Sequence, residues 1–105
     1  MAFTIMHRGG DEEDGSGTAG IDAILAELDE PRDDEHPDVA VGHESGWTLS
    51  AFQTGSLVWE NPETDDEPRH LRDVPRAEAR RIMVLVAEGR LEEVDRLDWL
   101  PGYGS

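Results

Sequence analysis

The 105-residue sequence has no cysteine, and all nine of its basic residues are arginine. Without cysteine there are no disulfides, no thiolate nucleophile and no Cys-based zinc or iron–sulfur site. That absence suits a reducing cytoplasm. No apolar run reaches the roughly 18 residues that signal a membrane span. At the N-terminus the apolar residues of Met1–Met6 precede the first charge, Arg8, and are too few for a signal peptide. The expected location is cytoplasmic, with no membrane contact.

Chemical motifs are missing too. The four histidines, His7, His36, His43 and His70, show no H-E-x-x-H pattern and no i, i+4 pairing. Ser45-Gly46 lacks the preceding glycine and the strand–turn–helix setting of a nucleophile elbow, so turn chemistry is its simpler role. Gly9-Gly10 and Gly15-Ser16-Gly17 have no lysine for a phosphate cradle, and their acidic neighbours repel phosphate. The acid–glycine spacing of Asp11–Gly20 does not fit a calcium loop. These absences predict no catalytic residue, no metal and no cofactor. A small enzyme centred on His43 and His70 is the reading they disfavour.

What the sequence does have is negative charge. Its 25 acidic residues outnumber the basic ones to give a net charge of −16. The excess is one-sided: residues 1–67 hold 18 acids and 2 arginines, whereas residues 68–105 hold 7 of each. Such a field steers basic partners and keeps a chain soluble. It argues against direct nucleic-acid binding, which needs a basic footprint.

The length allows one domain, over residues 1–105. Residues 2–7 predict a strand with Phe3 and Ile5 on one face. A flexible, acidic, Gly-rich loop is expected over about 9–20. Ile21, Ile24, Leu25 and Leu28 then make one helical stripe, with Thr18 available as a cap and Pro31 as a stop. A charged connector occupies about 31–38.

Three strand-like segments follow, Val39–Val41, Trp47–Phe52 and Leu57–Trp59. Glu44-Ser45-Gly46 and Gln53-Thr54-Gly55 link them, each a three-residue connection ending in the glycine that a left-handed bulge requires. That turn type predicts a register in which Val41 faces Leu49, Val39 faces Ala51, Leu49 faces Trp59 and Ala51 faces Leu57. One face then gathers Val39, Val41, Trp47, Leu49, Ala51, Leu57 and Trp59. The other gathers Ala40, Thr48, Ser50, Phe52, Val58 and Glu60. A two-residue link would scatter the apolar set over both faces.

Arg69–Arg72 predicts a fourth, edge-like strand with Leu71 inward. A helix then runs from Pro75 to about Glu88, burying Ala79, Ile82, Met83 and Val86, with Gly89 as its stop. Leu91, Val94 and Leu97 suggest a short helix or packed tail, and Trp99 folds back on the core. The fold class is α+β: an antiparallel β-meander of three to five strands with one or two helices packed on one face.

This layout resembles the small immunity proteins of bacterial polymorphic toxin systems, in particular those that protect against deaminase-type toxins. The resemblance is carried by Glu44–Phe52, Leu57–Glu60, Val74-Pro75-Arg76, Glu88-Gly89-Arg90 and Asp98-Trp99-Leu100-Pro101, and spans residues 37–103 in pattern. It implies a tight inhibitor with no activity of its own that plugs a basic toxin surface. The expected function is therefore an immunity- or antitoxin-type inhibitor of a basic protein, either a toxin or a nucleic-acid-binding protein. A DNA mimic or regulatory adaptor is the alternative. The candidate partner-binding residues are Glu44, Phe52, Val58, Glu60, Asp65 and Asp66, the strand residues among them taken as exposed on the face away from the core.

Overall fold

The computed structural model describes residues 3–8, 12–15, 19–29, 38–64 and 66–102. The expected Thr18 cap, His36, Asp65 and all but the last residue of the 31–38 connector lie outside these. Seven strands form one sheet: β1 Phe3–Met6, β2 Glu12–Asp14, β3 Asp38–His43, β4 Thr48–Phe52, β5 Leu57–Glu60, β6 Arg69–Leu71 and β7 Leu100–Pro101. Their order is β2-β1-β3-β4-β5-β6-β7, and every neighbouring pair is antiparallel. Helix α1, Ala19–Glu27, connects β2 to β3, while α2, Arg76–Ala87, and α3, Leu91–Asp95, connect β6 to β7.

The central register is the one the two glycine turns predict. Val41 pairs with Leu49, Val39 with Ala51, Leu49 with Trp59 and Ala51 with Leu57. Gly46 and Gly55 have φ of 99° and 92°, the left-handed region that side chains resist. The amides of His43 and Phe52 donate to the carbonyls of Trp47 and Ser56 at 2.7 and 2.9 Å, closing each turn.

The fold extends beyond the expected meander. Seven strands replace three to five, and there are three helices among the described residues. Within the segment expected to be a flexible loop, Glu12–Asp14 instead pairs with β1. The other added strand, β7, makes β6 interior rather than an edge. Both true edges are protected against further pairing, β2 by three acidic side chains and β7 by Pro101.

All the helices cover one face. Phe3, Ile5, Val39, Val41, Leu49, Ala51, Leu57 and Trp59 meet Ile21, Ile24 and Leu25 of α1, Ile82, Met83 and Val86 of α2, and Val94 of α3 in one buried cluster. Helix α2 ends at a left-handed Gly89, φ 77°. The Gly89 and Arg90 amides donate back to the carbonyls of Val86 and Leu85, a Schellman closure. The C-terminal carbonyls of α1 are satisfied from afar. Arg76 donates to the Leu25 carbonyl at 2.6 Å, Arg8 to Glu27 at 3.0 Å and Gln53 to Leu28 at 3.3 Å. Two guanidiniums at the negative end of a helix also complement its dipole.

The tail locks onto the sheet through tryptophan. Trp47, Trp59 and Trp99 stack in series, with ring centroids 4.9 and 6.3 Å apart. Asp95 accepts from the buried Trp59 indole and from Arg69, both at 2.8 Å, and Arg69 lies over the Trp47 ring. Trp99 does fold back, donating to the Val94 carbonyl at 2.7 Å.

Candidate functional site

Among the described residues the second face of the sheet, set by strand alternation, carries no helix. One cross-strand row runs over it from Met6 through Ala40, Ser50, Val58 and His70 to Leu100. On either side lie Thr48 paired with Glu60 and Asp38 paired with Phe52. A hollow of about 450 Å³ opens on this face, bounded by Met6, Glu12, Asp38, Ala40, Ser50 and Glu60.

The sequence-derived candidates divide by position. Phe52, Val58 and Glu60 share this face, as their alternation requires, and Glu60 lines the hollow. The expectation that Val58 is exposed is corrected: it is only 4% accessible. Two further strands beyond β5 place it inside the sheet, between Ser50 and His70. Glu44 and Asp66 are exposed at the end of the sheet nearest Glu60. Asn61, itself buried, joins that end together. Its Nδ2 donates to the Ser45 carbonyl at 3.2 Å, and its Oδ1 accepts from the Glu63 amide at 3.0 Å.

Asp38 is the residue sequence reasoning missed, because it was assigned to the connector. The signal was available, since pairing Val39 with Ala51 puts Asp38 opposite Phe52 and on this face. Burial pushes the Asp38 carboxyl above its ordinary value, a shift only partly offset by its own backbone N–H. Among the described residues no basic side chain pairs with it.

The charges of the helical layer are handled differently. Arg80 pairs with Asp22 at 2.6 Å, Arg76 with Asp29 at 3.1 Å and Arg81 with Glu78. Hydrogen bonds from Arg80 and Arg81 hold the Asp22 and Glu78 carboxyls below their usual values. Glu12, Asp38, Glu44, Glu63 and Asp66 have no such partner among the described residues.

His70 is 4% accessible. Its Nδ1–H donates to the Gly102 carbonyl at 3.0 Å, and the buried Nε2 has no hydrogen-bond partner among the described residues. His43 has the face parity of Val41, opposite to that of His70, and its Nδ1 accepts from the Ser45 amide at 3.1 Å. The two rings therefore lie on opposite sides of the sheet and cannot form a shared site. At the other end His7 donates to Glu27 at 2.5 Å and lies 3.4 Å from Glu13. The Glu27 hydrogen bond, opposed in part by desolvation, raises the His7 pKa.

No group of three or more histidine, aspartate or glutamate side chains among the described residues is placed to hold a metal ion. No described helix is long and apolar enough to cross a membrane. No protein-family model matches the chain, and comparison with curated proteins and with solved structures gives no match.

Proposed function

We propose that this chain is a non-catalytic acidic binding protein of the immunity or antitoxin type, inhibiting a basic protein partner by covering it. The observation that supports this most is the contrast in charge pairing. Asp22, Asp29 and Glu78 around the helices are each matched by an arginine, whereas Glu12, Asp38, Glu44, Glu63 and Asp66 have no such partner among the described residues. Unmatched carboxylates around a helix-free face form a surface whose field attracts cations and accelerates encounter with a basic protein. The resemblance of residues 37–103 to toxin-immunity proteins points the same way.

The test is capture from native lysate at low and high salt, followed by expression of the captured protein alone and together with this chain. The expected partner has a basic surface, arrests growth by itself and is neutralised by co-expression. Capture of a harmless DNA-binding protein from which DNA displaces this chain would favour the DNA-mimic reading instead. Failure to retain any basic protein at low salt would overturn both.

A further inference from the structure

The binding function proposed above can be given a specific contact, and the following rests on it. We propose that the hollow on the helix-free face receives an arginine side chain of the basic protein partner, with the Asp38 carboxylate as its counter-ion.

The hollow's volume, about 450 Å³, falls in the range of pockets that enclose a ligand. Among the described residues the cations that line it are already engaged. Arg8 lines it, but donates to the Glu27 carbonyl and to Gln53 Oε1 at 3.0 and 3.1 Å. His7 also lines it, and is matched by Glu27 and Glu13. Glu12 and Asp38 add two carboxylates to the same rim, and neither has a basic partner among the described residues.

Asp38 is the most costly of these to leave unmatched. A half-buried carboxylate whose partner among the described residues is only its own amide loses hydration without gaining a cation from them. An incoming positive group would recover that loss, so the same feature that disfavours the free chain favours the complex. The raised Asp38 pKa is consistent with this uncompensated burial.

The walls select guanidinium over other cations. Met6 and Ala40 give an apolar surface for a side-chain stem, while Asp38, Thr48 and Ser50 supply several oxygen acceptors. A planar group with five donors uses such a fan of acceptors, whereas an ammonium acts as a compact, strongly hydrated charge. A metal ion would need a convergent set of ligands that the described residues do not supply.

The test uses the full chain and two short labelled peptides, one alternating Arg with Gly and one alternating Lys with Gly, titrated at low salt. The Arg peptide is expected to bind more tightly than the Lys peptide. Asp38→Asn is expected to weaken it about tenfold or more. Ser50→Leu, which fills the hollow without changing charge, should weaken it to a similar extent. Glu88→Gln with Glu92→Gln, exposed on the helical layer, should change it by less than about twofold. Glu44→Gln with Asp66→Asn, at the exposed end of the sheet, is the comparison for binding by the acidic surface in general. Thermal melts check folding, and Asp38→Asn should melt no lower than the parent at neutral pH.

If Asp38→Asn and Ser50→Leu bind like the parent while the Glu44→Gln/Asp66→Asn chain loses affinity, the hollow is overturned and the acidic-binder reading survives. If the parent binds neither peptide, both fall. If the parent self-associates and Ser50→Leu abolishes that without any peptide binding, the occupant is a second copy of this chain and the arginine proposal is overturned.

Discussion

The two faces of the sheet come from the same strands, and their alternate residues meet opposite conditions. On the helical face Leu49, Leu57 and Trp59 are buried and packed, and Asp22 and Asp29 beside the helices are paired with Arg80 and Arg76. On the other face Ala40, Val58 and His70 are also buried, but among the described residues half-buried Asp38 has no cation and His70 Nε2 no hydrogen bond. A face that serves only stability would not retain either cost, since unmet buried polar groups each forfeit their solvation. The difference separates a surface that completes the fold from one that retains unmet polar groups.

The comparison breaks most severely at Trp59. It is fully buried, carries the middle of the tryptophan stack and donates to Asp95. Trp59→Ala should cost about 3–5 kcal/mol in urea unfolding. A loss below about 1 kcal/mol would mean that the helical face is not the core.

Next in size is the turn that joins the sheet to its acidic end. A Cβ on Gly46 would meet Asn61 Oδ1 and Glu63 Oε2 at 2.5 Å, in addition to its φ of 99°. At Gly55, φ 92°, the nearest approach is 3.7 Å, so only the backbone cost applies. Gly46→Ala should therefore destabilise by more than Gly55→Ala, each by at least about 1 kcal/mol. Equal melting temperatures would show that Asn61 does not hold the acidic end against the turn.

Two smaller effects are set by pH. His7 has a raised pKa, so the stability it lends is fully present below its ordinary value of 6.5. That contribution is lost as the pH climbs through the raised value. The melting temperature of the parent should fall over that interval, and His7→Gln should flatten the fall. An unchanged slope would exclude the Glu27 contact as its source. Asp38 also titrates from a raised value, so its stabilising form is the protonated one, present below 3.8 and lost on the way to neutrality. Asp38→Asn should raise the melting temperature slightly at neutral pH, and a drop would mean that the carboxylate has a stabilising partner.

Much of the central architecture was legible before any coordinates. Gly46 and Gly55 define the turn type, the turn type sets the register, and the register sorts Val41, Leu49 and Trp59 from Ser50, Val58 and Glu60. The periphery was not legible. Glu12-Glu13-Asp14 has no β-forming composition, and pairs only because β1 offers a free edge. Leu100-Pro101 is likewise made a strand by β6, from more than twenty-five positions earlier. Without β7 the burial of Val58 and His70 could not be foreseen, since periodicity assigns a face and leaves its cover undetermined. The capping of α1 by Arg8, Gln53 and Arg76 is invisible for the same reason, being tertiary contact with no local signature.

The most direct test of the contrast between the faces is amide chemical-shift mapping of the full chain during titration with the Arg–Gly peptide. The account predicts that perturbations concentrate at Met6, Asp38–Ala40, Ser50 and Glu60, and leave the α1–α2 surface around Asp22 and Glu78 unchanged. Perturbations centred on α1 and α2, with the helix-free face silent, would contradict it.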